Sequence, residues 1–276
     1  MTAPRPFAPA PRSTRPLVLL DTPLDDLAAF AALAVALVHG VLASAEGLGY
    51  HWQWYAVPRT LLVWDGASPV AGPLLQGLFL TLELAAAALP LTFLLGLAAC
   101  LLALSDSWTA RAASRLYLET VRNTPLLIQI FVIWFVAAPL LDLPRFASGV
   151  LALALFEGAY AAEIMRGAVL SLPRGQWEAA HALGLTRPQA YARVILPQAL
   201  RRALPSLTSQ AVSLVKDSAL LSTISIFELS LRAQALVSDT FLTFEIWFTV
   251  AGLYLVVNLA LSAASRVLER RMRQRG

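Results

Sequence analysis

Charge is what this sequence has least of. Only 14% of its 276 residues are Asp, Glu, Lys or Arg, where a soluble domain carries about a quarter. Lys216 is the single lysine, and arginine supplies every other basic residue. There is one cysteine, Cys100, within an apolar run. That excludes an internal disulfide and fits a small core residue better than a reactive thiol. The three histidines, His39, His51 and His181, are scattered, and no Cys/His cluster has metal-ligand spacing. Neither a metal centre nor a nucleophilic triad is expected. A phosphate loop of the form Gly-x-x-x-x-Gly-Lys-[Ser/Thr] is also missing, since Lys216 is not preceded by the required glycines. The chain therefore carries no ATP site of that kind, and no enzymatic activity of its own is expected.

What fills the sequence instead is apolar. Hydrophobic residues make up 58%, and the mean hydropathy is +0.67. Water cannot solvate such a surface, so the solvent is lipid. A spanning helix needs about 20 apolar residues. Runs near 27–45, 74–104, 124–141, 147–170, 206–228 and 245–265 predict about six spans and an all-α membrane protein. Residues 1–20, rich in Pro and Arg without apolar period, predict a disordered tail. Residues 21–71 hold an additional span and an aromatic stretch, Tyr50, His51, Trp52, Trp54 and Tyr55, of the kind that settles at a membrane–water boundary. The main membrane domain is expected over 72–270 and a basic tail over 271–276. Ala43-Ser44-Ala45 has the small residues of a cleavage site, which leaves a signal peptide as the alternative for the first span. Asp21, Asp25 and Asp26 are unlike the basic start of such a peptide.

With these spans, Arg59, Arg145 and Arg232 fall on one side and every other arginine outside the spans on the other. The positive-inside rule makes the crowded side cytoplasmic, together with both termini and the segment 171–205. The pI near 9.6 thus reports membrane orientation, and no nucleic-acid partner is expected.

Segment 171–205 is too polar to span. Pro173 suits an early helix position. Glu178, Ala179, Ala180 and Ala182 favour helix, and Gly184 can end it in a left-handed cap. Thr186 and Gln189 have capping-box spacing, which predicts a second short helix at once. Two short helices joined at a glycine make a compact knob whose small residues let a partner's backbone approach.

This run resembles the EAA loop of ABC importer permeases: Glu-Ala-Ala, three residues, Gly, nine residues, Ile-x-Leu-Pro. Glu178, Ala179, Ala180, Gly184, Leu196 and Pro197 fall on the pattern, and Val194 stands where Ile is usual. The stretches Glu119–Gln129, with Asn123 where Gly is frequent, Ala159–Gly167 and Lys216–Leu221 are similar to the polar amino-acid uptake permeases of that family. The resemblance covers about 72–270. It implies a five-helix importer core in the bacterial inner membrane, with 171–205 as the coupling loop. It also implies an ATPase dimer that binds ATP and Mg, a second permease subunit (identical or homologous), a periplasmic solute-binding protein and a polar amino acid as solute. Glutamine, glutamate, arginine, histidine, cystine and opines all fit.

Charged groups inside a bilayer cost about 2.5–3.5 kcal/mol each on insertion scales and usually face a bundle interior or a water-filled path. Glu157, Glu163, Lys216 and Asp217 lie within or near the apolar runs. Glu157 and the adjacent Lys216 and Asp217 are expected to line or shape a path; the alternative is ion pairs that hold helices in register. Glu163 and Arg166, three apart, can pair on one helix face. Glu83 is expected to reach headgroups, and Asn123, Gln129 and Gln210 to bond helix to helix. A self-sufficient ion-coupled secondary transporter would use Glu157 or Asp217 instead. No inverted repeat supports it, and it leaves the polar knob unexplained.

Overall fold

The computed structural model describes residues 23–47, 49–65 and 68–273. The chain divides into two units, Met1–Trp52 and Gln53–Gly276. In the first, α1 (Pro23–Gly47) is a single helix, and Tyr50 meets Trp52 edge-on. The tail expected over 1–20 lies outside the described residues.

The second unit departs at once from an all-α expectation. After a 3-10 turn (Trp54–Ala56) and a short α2 (Val57–Leu61), the strands β1 (Leu62–Asp65) and β2 (Ser68–Ala71) pair antiparallel, Leu62 opposite Ala71. Val63, Trp64 and Val70 are the β-branched and aromatic kinds of residue that favour strands, and the expected interfacial loop is folded. Helices make up the rest: α3 (Pro73–Ala103), α4 (Trp108–Arg122), α5 (Leu126–Leu141), α6 (Arg145–Leu170), α7 (Arg174–Ala182), α8 (Arg187–Ile224), α9 (Leu229–Thr240) and α10 (Thr243–Arg273).

The central pair is α3 and α6. They approach closely because small residues face each other: a Cβ on Gly96 would stand 2.8 Å from that of Ala161. Membrane helices associate through such small residues because lipid offers no hydrophobic drive between them. Around this pair, Leu84, Ile130, Leu153, Leu214 and Leu221 form a core shared by α3, α5, α6 and α8. Ala99, Cys100, Leu118 and Met165 form another where α4 joins. The thiol is buried and unpaired.

Helix α4 was not foreseen. Ser107 caps it, accepting from Ala110 N. Ser114 Oγ donates to Ala99 O at 2.8 Å and Tyr117 Oη to Leu155 O at 2.6 Å, which fastens it to α3 and α6. It bends by 109° into α5. The run expected as a span over 124–141 is thus a shorter helix with an amphipathic partner.

The fifth run is corrected too. Instead of a short loop helix followed by a span over 206–228, α8 runs unbroken from Arg187 to Ile224, ending in a 3-10 turn (Ser218–Ile224). Ser225 then takes a left-handed conformation (φ 59°), and α9 leaves at 51°. Both helices that carry a π turn carry a proline two residues beyond it: Ile133–Ala137 before Pro139, and Tyr191–Ile195 before Pro197. Proline lacks an N–H and crowds the carbonyl four residues back, and a widened turn absorbs both defects.

Helices α3, α6 and the Thr243–Val267 part of α10 are each long and apolar enough to cross a membrane; counting each bent pair as one gives up to five. The sixth expected span rests on α1, whose described apolar stretch is the shorter Leu27–Gly40. The basic tail expected over 271–276 begins as the last turn of α10, and residues 274–276 lie outside the described residues.

Candidate functional site

Segment 171–205 folds around Gly184. Pro173 is the N-cap of α7. At the other end Gly184 adopts φ +70°. Its N–H reaches His181 O at 2.9 Å, while the N–H of Leu185 reaches Ala180 O at 3.1 Å. This is a Schellman cap, which satisfies carbonyls that the helix end would leave open. Two residues on, Thr186 N donates to Gln189 Oε1 at 2.9 Å, the reach-back of the capping box that starts α8.

The turn is anchored from within. Trp177 meets Tyr191 edge-on with ring centroids 5.0 Å apart. Beneath them Val169, Leu172, Ile195 and Ala199 are buried, with Val194 and Leu196 packed against them. Gln198 Nε2 donates to Gln176 Oε1 at 2.8 Å, and Arg202 Nη1 to Ser171 O at 2.9 Å. Arg187 pairs with Asp106 and donates to Leu104 O, tying the start of α8 to the turn after α3. Of the motif residues, Ala180 faces inward and is buried, while Glu178, Ala179, Gly184 and Pro197 are exposed. Leu183, which the motif does not include, is 78% exposed. The result is a rigid polar platform with an apolar tip.

The intramembrane groups divide. Glu157 on α6 is fully buried, and Gln210 on α8 donates to its Oε2. The Asp217 carboxyl lies beside it, although Oε1 accepts no bond of ordinary geometry. Lys216 and Asp217 do not pair with each other among the described residues: Asp217 is half-buried, and Lys216 is exposed. Glu163 lies elsewhere, accepting from Arg166 Nε and Nη2 at 3.0 Å each, with Arg122 Nη1 at 3.6 Å. Gln129 bonds Val121 O and Thr124 back across the α4–α5 bend. Asn123 bonds Glu119 within its own turn, not another helix, and Glu83 is exposed on α3.

Two buried acids escaped the sequence reading. Glu228 caps α9, accepting from Ser230 N at 2.9 Å and Leu231 N at 3.0 Å. It also accepts from Tyr254 Oη at 3.1 Å and Thr81 Oγ1 at 3.4 Å, so one carboxylate joins α3, α9 and α10. Glu245, in the first turn of α10, accepts from Gln53 N at 2.6 Å. The available signal was an acid at the start of an apolar helical run, Glu228 as the N-cap of α9 and Glu245 in the first turn of α10, where the helix dipole favours negative charge.

The family of binding-protein-dependent transport system inner membrane components matches residues 74–274. The glutamine transport system permease protein GlnP of Escherichia coli (strain K12) is 37% identical over 214 residues, covering 76% of this chain and 97% of that protein. The L-cystine transport system permease protein TcyB of Bacillus subtilis (strain 168) is 35% identical over 218 residues, 77% of this chain and 92% of its own. Among solved structures, an amino acid ABC transporter crystallised with histidines aligns with a TM-score of 0.66 at 34% identity, covering 72% of this chain and 94% of that one.

Proposed function

The chain belongs to the family of binding-protein-dependent transport system inner membrane components, and on that premise we propose that it is the permease subunit of an ABC importer for a polar amino acid. The observation that carries the reading is the platform at Gly184. A capped, internally anchored turn presents Glu178, Ala179, Leu183 and Gly184 outward, the arrangement that a docking partner needs and a lipid-facing loop does not. Glutamine and cystine permeases are among its relatives, which supports an amino acid as solute.

In this reading the platform faces the cytoplasm, as do both termini by the arginine distribution, and α1 adds a sixth span to the core. An ATPase dimer supplies the ATP and Mg chemistry that this chain has no loop to hold. It moves the platforms of two permease subunits, identical or homologous, and the long, continuous α8 carries that movement from Arg187 to the intramembrane end at Asp217. Packed elements with two discrete arrangements transmit such motion better than deformable ones. A soluble binding protein delivers the solute from the periplasm.

The test is solute uptake into proteoliposomes that hold this chain with its ATPase and binding protein. Uptake is expected only with hydrolysable ATP. Uptake by this chain alone, driven by an ion gradient, would instead establish secondary transport.

A further inference from the structure

Between α8 and α10 lies a cavity of about 370 Å³. Ser209, Ser213 and Lys216 line one wall; Ser262, Ser265 and Arg266 line the other. Among the described residues, no acidic side chain lines it. Neither Lys216 nor Arg266 forms an ion pair among the described residues, although both sit on helices that lipid would surround. Glu157 attracts Lys216 only from inside the core, without ion-pair contact. The hydroxyls of Ser213, Ser262 and Ser265 make no hydrogen bond among the described residues.

A cation at membrane depth without a partner, as Lys216 is among the described residues, is costly, and hydroxyls there normally find a partner. Here two cations and three such hydroxyls converge on one space, and no carboxylate among the described residues meets the cations. We infer that this cavity is a binding site for an anionic oxygen group, either the carboxylate of the transported solute or the phosphate of a lipid headgroup. An ammonium, a guanidinium and neutral serine donors are the groups that recognise carboxylate or phosphate. The volume is in the range of small-molecule sites. A solute with a cationic side chain would meet two like charges here, so neutral and anionic amino acids are the better ligands. The solute identity rests on the permease reading; the anion site itself does not.

The single native cysteine makes a direct probe possible. In full-length protein with Cys100→Ser and Ser213→Cys, reconstituted in phosphatidylcholine nanodiscs, the introduced thiol is treated with an anionic and a cationic methanethiosulfonate. Relative to a free thiol in solution, the anionic reagent is expected to gain over the cationic one. That ratio should fall about fivefold with Lys216→Gln, from the loss of one unit charge nearby, and persist with Lys216→Arg. Arg266→Gln, on the other wall, should lower it independently, so a misfolded Lys216 variant would not decide the matter. Slower modification with L-glutamate but not L-lysine assigns the site to the solute carboxylate. Slowing only when phosphatidylglycerol replaces part of the phosphatidylcholine assigns it to the phosphate of a lipid without a cationic headgroup. A ratio with no charge preference, one indifferent to both substitutions, or no protection by either anion overturns the site. ATP-driven uptake is not read by this probe, so the two proposals fail separately.

Discussion

Trp177 and Tyr191 stand on opposite sides of the Gly184 turn and touch edge to face, with centroids 5.0 Å apart. The contact joins α7 to α8 directly, so a push on the platform need not bend the turn. Such pairs contribute about 0.5–1.5 kcal/mol beyond their buried area. Trp177→Ala and Tyr191→Ala are each expected to reduce ATP-driven uptake, and the double variant to be little worse than either. Uptake rates for the three variants check this; fully additive losses would show that the rings act separately.

At Gly184 a Cβ would meet nothing within 4 Å, yet φ is +70°. The cost of replacement is therefore conformational, about 1–2 kcal/mol for an ordinary residue and less for asparagine, which tolerates the left-handed region. Thermal midpoints in detergent should fall in the order Asn, Ala, Val, with Val lowest. Equal midpoints would mean that the Schellman cap does not bear on stability.

The Gln210–Glu157 bond joins α8 to α6 at a carboxylate with no exposure. Gln210→Ala removes the donor and leaves a buried acceptor unmet, which costs about 1–3 kcal/mol. Replacing both residues with leucine removes the unmet group as well and should recover most of that loss. A double variant less stable than Gln210→Ala would instead point to a role for the carboxylate beyond holding the helices.

Glu228 is expected to be the more sensitive acid. Its carboxylate satisfies two helix-start N–H groups and also receives bonds from Thr81 and Tyr254. Glu228→Ala should lower stability by about 2 kcal/mol or more, combining a lost cap with unmet buried donors. Thr81→Val in that background should add little, because the two share one network. Thermal midpoints of the two single variants and the double decide it.

The parts that were legible in the sequence are those fixed by local chemistry. Gly184 and the Thr186–Gln189 box set the turn from within a few residues, and the long apolar runs of α3 and α6 announce themselves by composition. What escaped depends on distant partners. Helix α4 alternates arginine with small residues and reads as a polar connection; only Ala99 and Leu155, the acceptors for Ser114 and Tyr117, show why it packs. Glu228 looks like one acid between apolar residues until Thr81 and Tyr254 arrive from other helices. The division of α8 into loop helix and span followed polarity, but a helix can pass from polar to apolar surroundings without a break. The π turn before Pro197 carries it past that proline.

The central claim, that the Gly184 platform is where the ATPase docks, is tested most directly by co-purification. Wild-type chain and the Ala179→Arg variant are each expressed with the candidate ATPase and isolated from membranes through a tag on this chain. Ala179 is exposed and helical, so arginine there leaves the fold intact while placing bulk and charge on the proposed contact. Wild type retaining the ATPase while Ala179→Arg loses it, at equal membrane yield, is the predicted result. Equal retention by both would contradict the assignment of 178–184 as the dock.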